Sequence, residues 1–199
     1  MIWTPVGYFL KRRTTRAGWV SPWPSHPDAT FPCPPPVEEI CSVSNCIAEG
    51  YEQSGGFCVW GVRPDNEFGG YVSAAAAWAM VPPERWSEVS LYAYRVVPRL
   101  FEDGQERVFD VPEFDVDPLP DTFVRLGYDA VEVGAGWCWG CSPLSCNGVT
   151  HEAAVNRYCL VDTEAEGIEL ARRFSETKPE PGPYGVVEVW RAAARSIDA

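Results

Sequence analysis

Cys138, Cys141, Cys146 and His151 follow the spacing C-x2-C-x4-C-x4-H inside one glycine-rich run of the chain. Four soft or borderline donors that close together suit a tetrahedral zinc ion, whose preferred ligands are thiolate sulfur and imidazole nitrogen. Two cysteines separated by two residues make a turn whose amides can point at the sulfurs and favour the thiolate form. Gly134, Gly136, Gly140 and Gly148 supply the backbone freedom such a turn needs. Cys159 is the alternative fourth ligand, reached by C-x2-C-x4-C-x12-C. A zinc held this way is structural and names no substrate.

The same spacing resembles a retroviral-type zinc knuckle with its third and fourth ligand types exchanged, and Trp139 resembles the aromatic residue of that module. The basic residues with which a knuckle meets nucleic acid are missing, so only the spacing carries over. A nucleophilic reading of the run pairs Cys141 or Cys146 with His151 as base and Asn147 or Asn156 as orienter. No familiar cysteine-enzyme signature surrounds these residues, and no residue is assigned a catalytic role. Cys41 and Cys46 make only a weak pair, and Asp115 with Asp117 lacks the glycine and distal glutamate of a calcium loop.

The elements that position these residues are legible in part. Val6 to Arg13 predicts a first strand, and a proline-rich loop follows over 22–36, where seven of fifteen residues are proline. Pro36 then predicts the first turn of a helix through Val37–Ala48, stopped by Gly50. Phe57 to Val62 alternates like a strand, and Tyr71 to Met80 predicts a helix ended before Pro82 and Pro83. The strongest local signal is a hairpin over Leu91–Val111 about Asp103-Gly104, the pair a two-residue type I′ turn requires. That register sets Glu102 against Gln105 and Leu100 against Arg107, and gives Tyr92, Tyr94, Val96, Pro98, Phe109 and Val111 one core face. Pro98 lacks an N–H, so its strand must be bulged there or lie at an edge.

Further strands are predicted within Phe123–Val133, at Arg157–Val161 and at Tyr184–Trp190. Between the last two, Thr163 and Glu166 stand at capping-box spacing before a helix with an apolar stripe at Ile168, Leu170, Ala171 and Phe174. The order of elements predicts an α+β class: a mostly antiparallel sheet, a few helices, and a C-terminal strand-helix-strand unit read as one parallel crossover. A length of 199 residues with 46% hydrophobic content predicts one globular domain over 1–199.

The net charge of −12 opposes phosphate backbones and argues against nucleic-acid binding. No stretch has the length of a membrane span, and the charges of the N-terminus follow its short apolar run rather than precede it, unlike a secretory signal. The expectation is a cytoplasmic home with reduced cysteines. Glu102 to Asp121 holds eight acids and the single base Arg107, a segment suited to a basic protein partner. The leading functional expectation is therefore an acidic protein acting by protein–protein contact, as an inhibitor or immunity-type partner, with a structural zinc loop.

A second reading rests on resemblance. Tyr71–Trp78 followed by Leu91–Val97 resembles the helix-then-strand step of ADP-ribosyltransferase-like folds. That resemblance implies a nucleotide-handling enzyme with a strand that contacts NAD and a glutamate that polarises the ribose, for which Glu188 is the candidate.

Overall fold

The computed structural model describes residues 3–19, 28–43, 70–108, 111, 115–133, 141–146 and 149–193. Its strands are β1 (Thr4–Arg12), β2 (Thr14–Thr15), β3 (Glu39–Ile40), β4 (Val89–Glu102), β5 (Gln105–Val108), β6 (Phe123–Glu132) and β7 (Tyr184–Ala192). The α-helices are α1 (Ala74–Ala79), α2 (Pro143–Cys146) and α3 (Glu164–Thr177), with 3-10 turns at Pro83–Glu88 and Val149–His151. Five strands form one sheet in the order β1-β4-β7-β6 with β5 on β4, and β2 pairs with β3 apart from it. The class is α+β, and every pairing among the described strands is antiparallel.

The hairpin forms as its turn residues require. Asp103 and Gly104 adopt positive φ of 49° and 74°, and Glu102 faces Gln105 with Leu100 against Arg107. The β4–β7 register slips between Val96 and Leu100, the stretch that contains Pro98, so a bulge absorbs the missing N–H inside the sheet. Tyr92, Tyr94 and Val96 are buried on one face of β4, while Leu91 and Ala93 are buried on the other. β4 is thus a central strand covered on both sides, flanked by β1 and β7. Phe109, the expected partner of Pro98, lies outside the described residues, and Val96 pairs with Thr4 and Val187 rather than with Val111.

α1 begins at Ser73, whose hydroxyl accepts from the Ala76 N–H, and covers one end of the sheet through Ala77, Trp78 and the Pro83–Glu88 turn. α3 covers the other end of the same face. Its N-cap is the capping box read from the sequence: Thr163 accepts from the Glu166 N–H while Glu166 accepts from Thr163. Leu170, Ala171 and Phe174 press on Val186, Ala130 and Tyr184, and a buried Leu or Phe side chain contributes ~2 kcal/mol each.

Three expectations are corrected. The described part of the segment expected to be helical, Val37–Val43, is extended: Glu38 and Glu39 donate to the Arg157 carbonyl and Cys41 to that of Tyr158. Val37 and Glu39 are buried on either side of the exposed Glu38, and Cys41, Ser42 and Val43 are all buried. Residues 44–48 of that helix, and the strand expected at Phe57–Val62, lie outside the described residues. Arg157–Val161 is a turn rather than a strand, because Asn156 accepts the Tyr158 and Leu160 N–H groups on its side chain and Cys159 takes φ 62°. Only Val161 joins the sheet, through a bridge to Tyr128. The strand that precedes α3 is therefore β6, which runs antiparallel to β7, so the unit is strand-helix-strand without a parallel crossover.

Candidate functional site

Side chains alternate along β7, so Tyr184, Val186, Glu188, Trp190 and Ala192 share one face. Tyr184 and Val186 belong to the core under α3, whereas Trp190 and Ala192 pack against the core under α1. Glu188 falls on the seam between the two. The sheet register puts Arg95 of β4 opposite it on one side and Tyr128 of β6 opposite it on the other. Arg125, opposite Trp190, reaches it diagonally.

The seam is a charged row across three strands. Arg95 meets Glu188 Oε2 at 3.1 Å, and Arg125 approaches Oε1 at 3.8 Å. The Tyr128 hydroxyl donates to Oε1 at 3.4 Å and accepts from Arg125 at 3.0 Å. Burial first, then the Glu188 carboxylate, pushes the Tyr128 phenol above its ordinary pKa. Glu188 is 4% exposed, while the side chains of Arg95 and Arg125 are 34% and 50% exposed. One buried carboxylate thus faces two partly exposed guanidinium groups, and the Glu164 carboxylate also acts on Tyr128 in the same cluster. The Trp190 indole N–H beside it is buried without a partner among the described residues.

Next to Arg95 the face opens into a cavity of about 320 Å³, lined chiefly by Trp3, Tyr8, Arg95, Val116, Pro118 and Leu119. Trp3 stands 5.5 Å from the Tyr128 ring and donates to Glu164 at 3.3 Å, which ties the cavity wall to the start of α3. Tyr8 donates to the carbonyls of Asp117 and Pro118 at 3.1 and 2.9 Å and so fixes the segment that roofs the cavity. Asp117 also lines the cavity, and after burial its charge pushes the Tyr8 phenol above its ordinary pKa.

The opposite face of the sheet carries a buried polar staple. Asp129, fully buried on β6, accepts from the Val43 N–H at 2.8 Å and the Ser142 hydroxyl at 2.7 Å. Lys11 of β1 donates to the carbonyls of Ser42 and Val43, and Ser42 bonds Ser145 at 2.8 Å. Burial pushes the Asp129 carboxyl up to about 6, against the hydrogen bonds of Ser142 and Val43 and the charge of Lys11. This staple anchors both the 41–43 strap and the start of α2, the frame from which the cysteine run departs and to which it returns.

Of the predicted zinc ligands, Cys138 lies outside the described residues, as do the side chains of Cys146 and His151, whose backbones sit in α2 and the Val149–His151 turn. Cys141 is half-buried and caps β6 through its carbonyl, which accepts from the Glu132 N–H at 3.0 Å. Cys159 is fully buried with its Sγ 3.6 Å from that of Cys33. Among the described residues no three His, Cys, Asp or Glu side chains are grouped to hold a metal. Asn156, offered as the orienter of a nucleophile, instead donates to the Leu126 carbonyl and to Asp162, and is consumed in shaping its own turn. Cys41 is buried beside Tyr92 and Arg191, with its thiol pushed up to about 12 by burial and by Glu39, so it is a poor nucleophile.

Sequence reading found Glu188 but missed Arg95, Arg125, Tyr128 and Trp190. The signal was present in Val-Val-Glu-Val-Trp and Tyr-Ala-Tyr-Arg-Val-Val, where one charge interrupts an apolar strand on a face that proves to be covered. The hairpin face containing Tyr92 and Tyr94 drew attention away from the other face of β4. Comparison with protein-family models, curated proteins and solved structures found no match. Among the described residues no helix is long and apolar enough to cross a membrane.

Proposed function

We propose that this chain is a cytoplasmic ligand-binding protein that takes a compact anionic molecule of the nucleotide class at the Glu188 seam. The observation that carries the reading is the row Arg95–Glu188–Tyr128 with Arg125, set across adjacent strands and opening onto an aromatic cavity. Arg95 and Arg125 are partly exposed guanidinium groups suited to phosphate or carboxylate oxygens, and Glu188 is the positioning residue between them. Trp3, which is only partly buried, supplies a ring face for a planar moiety. A cavity of about 320 Å³ is at the lower limit of small-molecule sites, which run from roughly 300 to 1,000 Å³. It therefore suits a mononucleotide or one half of a dinucleotide, with the phosphate between Arg95, which lines the cavity, and Arg125, which shares the Glu188 carboxylate with it.

The ADP-ribosyltransferase-like reading is a stricter form of the same proposal. There Glu188 Oε1, whose contacts to Tyr128 and Arg125 are long, would accept a ribose hydroxyl. Thermal-shift measurement with AMP, ADP-ribose, NAD and adenosine tests the binding reading, since a ligand at a hundred times its Kd stabilises the native state by ~2.7 kcal/mol. The charged ligands are expected to raise the melting temperature and uncharged adenosine to do much less. Equal shifts with adenosine and AMP, or none with any of them, would sink it.

A second reading, an acidic partner that contacts a basic protein, is favoured by the net charge of −12. Glu102, Asp103 and Glu106 of the acidic segment already pair with Arg107, Lys178 and Arg99, which leaves that reading less to work with. Its mark would be a captured basic protein released by rising salt.

A further inference from the structure

We propose that Cys33 and Cys159 are a redox-active thiol pair that hydrogen peroxide converts into a disulfide, tying the end of the proline-rich loop to the turn before α3. The fold brings the two residues together from 126 positions apart in sequence, with their sulfurs 3.6 Å from one another. Both are free thiols. A disulfide holds its sulfurs ~2.05 Å apart, so ~1.5 Å of closing remains, within reach of rotation of the two side chains about their Cα–Cβ bonds. In a reducing compartment such a bond is inducible rather than permanent.

Both backbones are held in place. Arg16 donates to the Cys33 carbonyl at 2.6 Å and to that of Val37 at 2.9 Å, while the Asn156 side chain holds the turn in which Cys159 takes φ 62°. The pair is also asymmetric. Cys33 is buried just beneath the surface, between the partly exposed Phe31, Pro32 and Pro34, whereas Cys159 is fully buried behind it, so a small oxidant suits the site better than a bulky disulfide. The hydrogen bond from Cys159 holds the Cys33 thiol below its ordinary pKa against the effect of burial, with the Thr150 hydroxyl and the Arg16 charge acting in the same direction as Cys159. Cys33 is therefore the attacking thiolate. It displaces hydroxide from hydrogen peroxide: the O–O bond breaks, an S–O bond forms, and Cys33 becomes a sulfenic acid. The contact with Cys33 is the largest cause that pushes the Cys159 thiol up, followed by burial, and it is relieved once Cys33 is no longer a thiolate. The Cys159 sulfur then attacks the Cys33 sulfur, the S–O bond breaks, and the oxygen leaves as water with the Cys159 proton. Two electrons pass in all from the two sulfurs to the peroxide. Cys41, buried beside Tyr92 and Arg191 with its thiol pushed up to about 12, is expected to stay reduced.

The full chain, reduced, freed of reductant and treated with a small excess of hydrogen peroxide, tests the pair by peptide mapping after its remaining thiols are alkylated in denaturant. The expected product is the Cys33 peptide joined to the Cys159 peptide, two hydrogens lighter than their sum and separated again by dithiothreitol, with Cys41 alkylated. In Cys159→Ser the expected product is a sulfenic acid at Cys33, trapped as its dimedone adduct, with no cross-link. Cys33 and Cys159 both still alkylated after peroxide, or either one joined to a different cysteine, would overturn the proposal. So would Cys33 driven to the sulfonic acid while Cys159 stays a thiol. The wild-type map needs no variant, so it decides even where Cys159→Ser does not fold.

Discussion

Replacing Asp129 by Asn should make the protein more stable above neutral pH, although it removes a fully hydrogen-bonded carboxylate from the core. Asp129 is completely buried, and its carboxyl is pushed from 3.8 up to about 6. At ~1.4 kcal/mol per pH unit, that displacement means the ionised form weakens the fold by ~3 kcal/mol. The folded protein binds this proton more tightly than the unfolded chain. The stability it contributes is therefore fully present below about pH 4 and is lost as pH rises through about 6. Asn keeps the shape and fits the same partners: its carbonyl accepts from Val43 and its amide donates to the Ser142 hydroxyl. Urea denaturation of both proteins across this range should give a stability difference that grows in favour of Asp129→Asn by ~3 kcal/mol between about pH 4 and pH 7.5, then levels off. In Lys11→Met the midpoint of wild-type loss should move higher, because the ammonium that favours the carboxylate is gone. A stability difference that stays flat with pH would refute the reasoning.

Gly127→Ala should destabilise by ~2–3 kcal/mol, because φ is +147° there and a Cβ would meet the Val161 carbonyl oxygen at 2.5 Å; its urea midpoint should fall and amide exchange across the Tyr128–Val161 bridge should quicken. Thr163→Ala should cost ~1 kcal/mol through loss of the α3 cap, read as a lowered midpoint with an unchanged denaturant slope. Glu188→Gln should cost ~1–2 kcal/mol, discounted for the partly exposed arginines it leaves behind, and a double-mutant cycle with Arg95→Gln should show coupling of ~1 kcal/mol. Additive effects would mean that the two side chains act separately.

What could be read in advance follows from where the determining contacts lie. Asp103-Gly104 and the Thr163–Glu166 box are local devices, complete within four residues, and both form as written. The Pro98 bulge was legible because a missing N–H must be accommodated wherever the strand lies. The strap at Val37–Val43 was hidden by Glu39. A charge at that position reads as solvent-facing, yet its partners Arg13 and Arg191 come from β1's end and β7 and make it a core residue. Cys159 was misplaced for the same reason, since an apolar stretch suggests a strand unless the Asn156 turn and Cys33 are known to be there. The candidate site was half legible: Glu188 is conspicuous in an apolar strand, but only the sheet register reveals that Arg95, Tyr128 and Arg125 converge on it.

The proposed anion site at the seam rests on Arg95 and Arg125. Isothermal titration of the full chain with AMP, repeated on Arg125→Gln and Arg95→Gln variants checked for folding by circular dichroism, tests it most directly. Hydrogen bonds to charged groups contribute ~1.5–3 kcal/mol, so each substitution should weaken a single-site wild-type affinity by ~10-fold or more. Wild-type protein that gives no binding heat, or binding that both variants leave unchanged, would rule out an anion site at the seam.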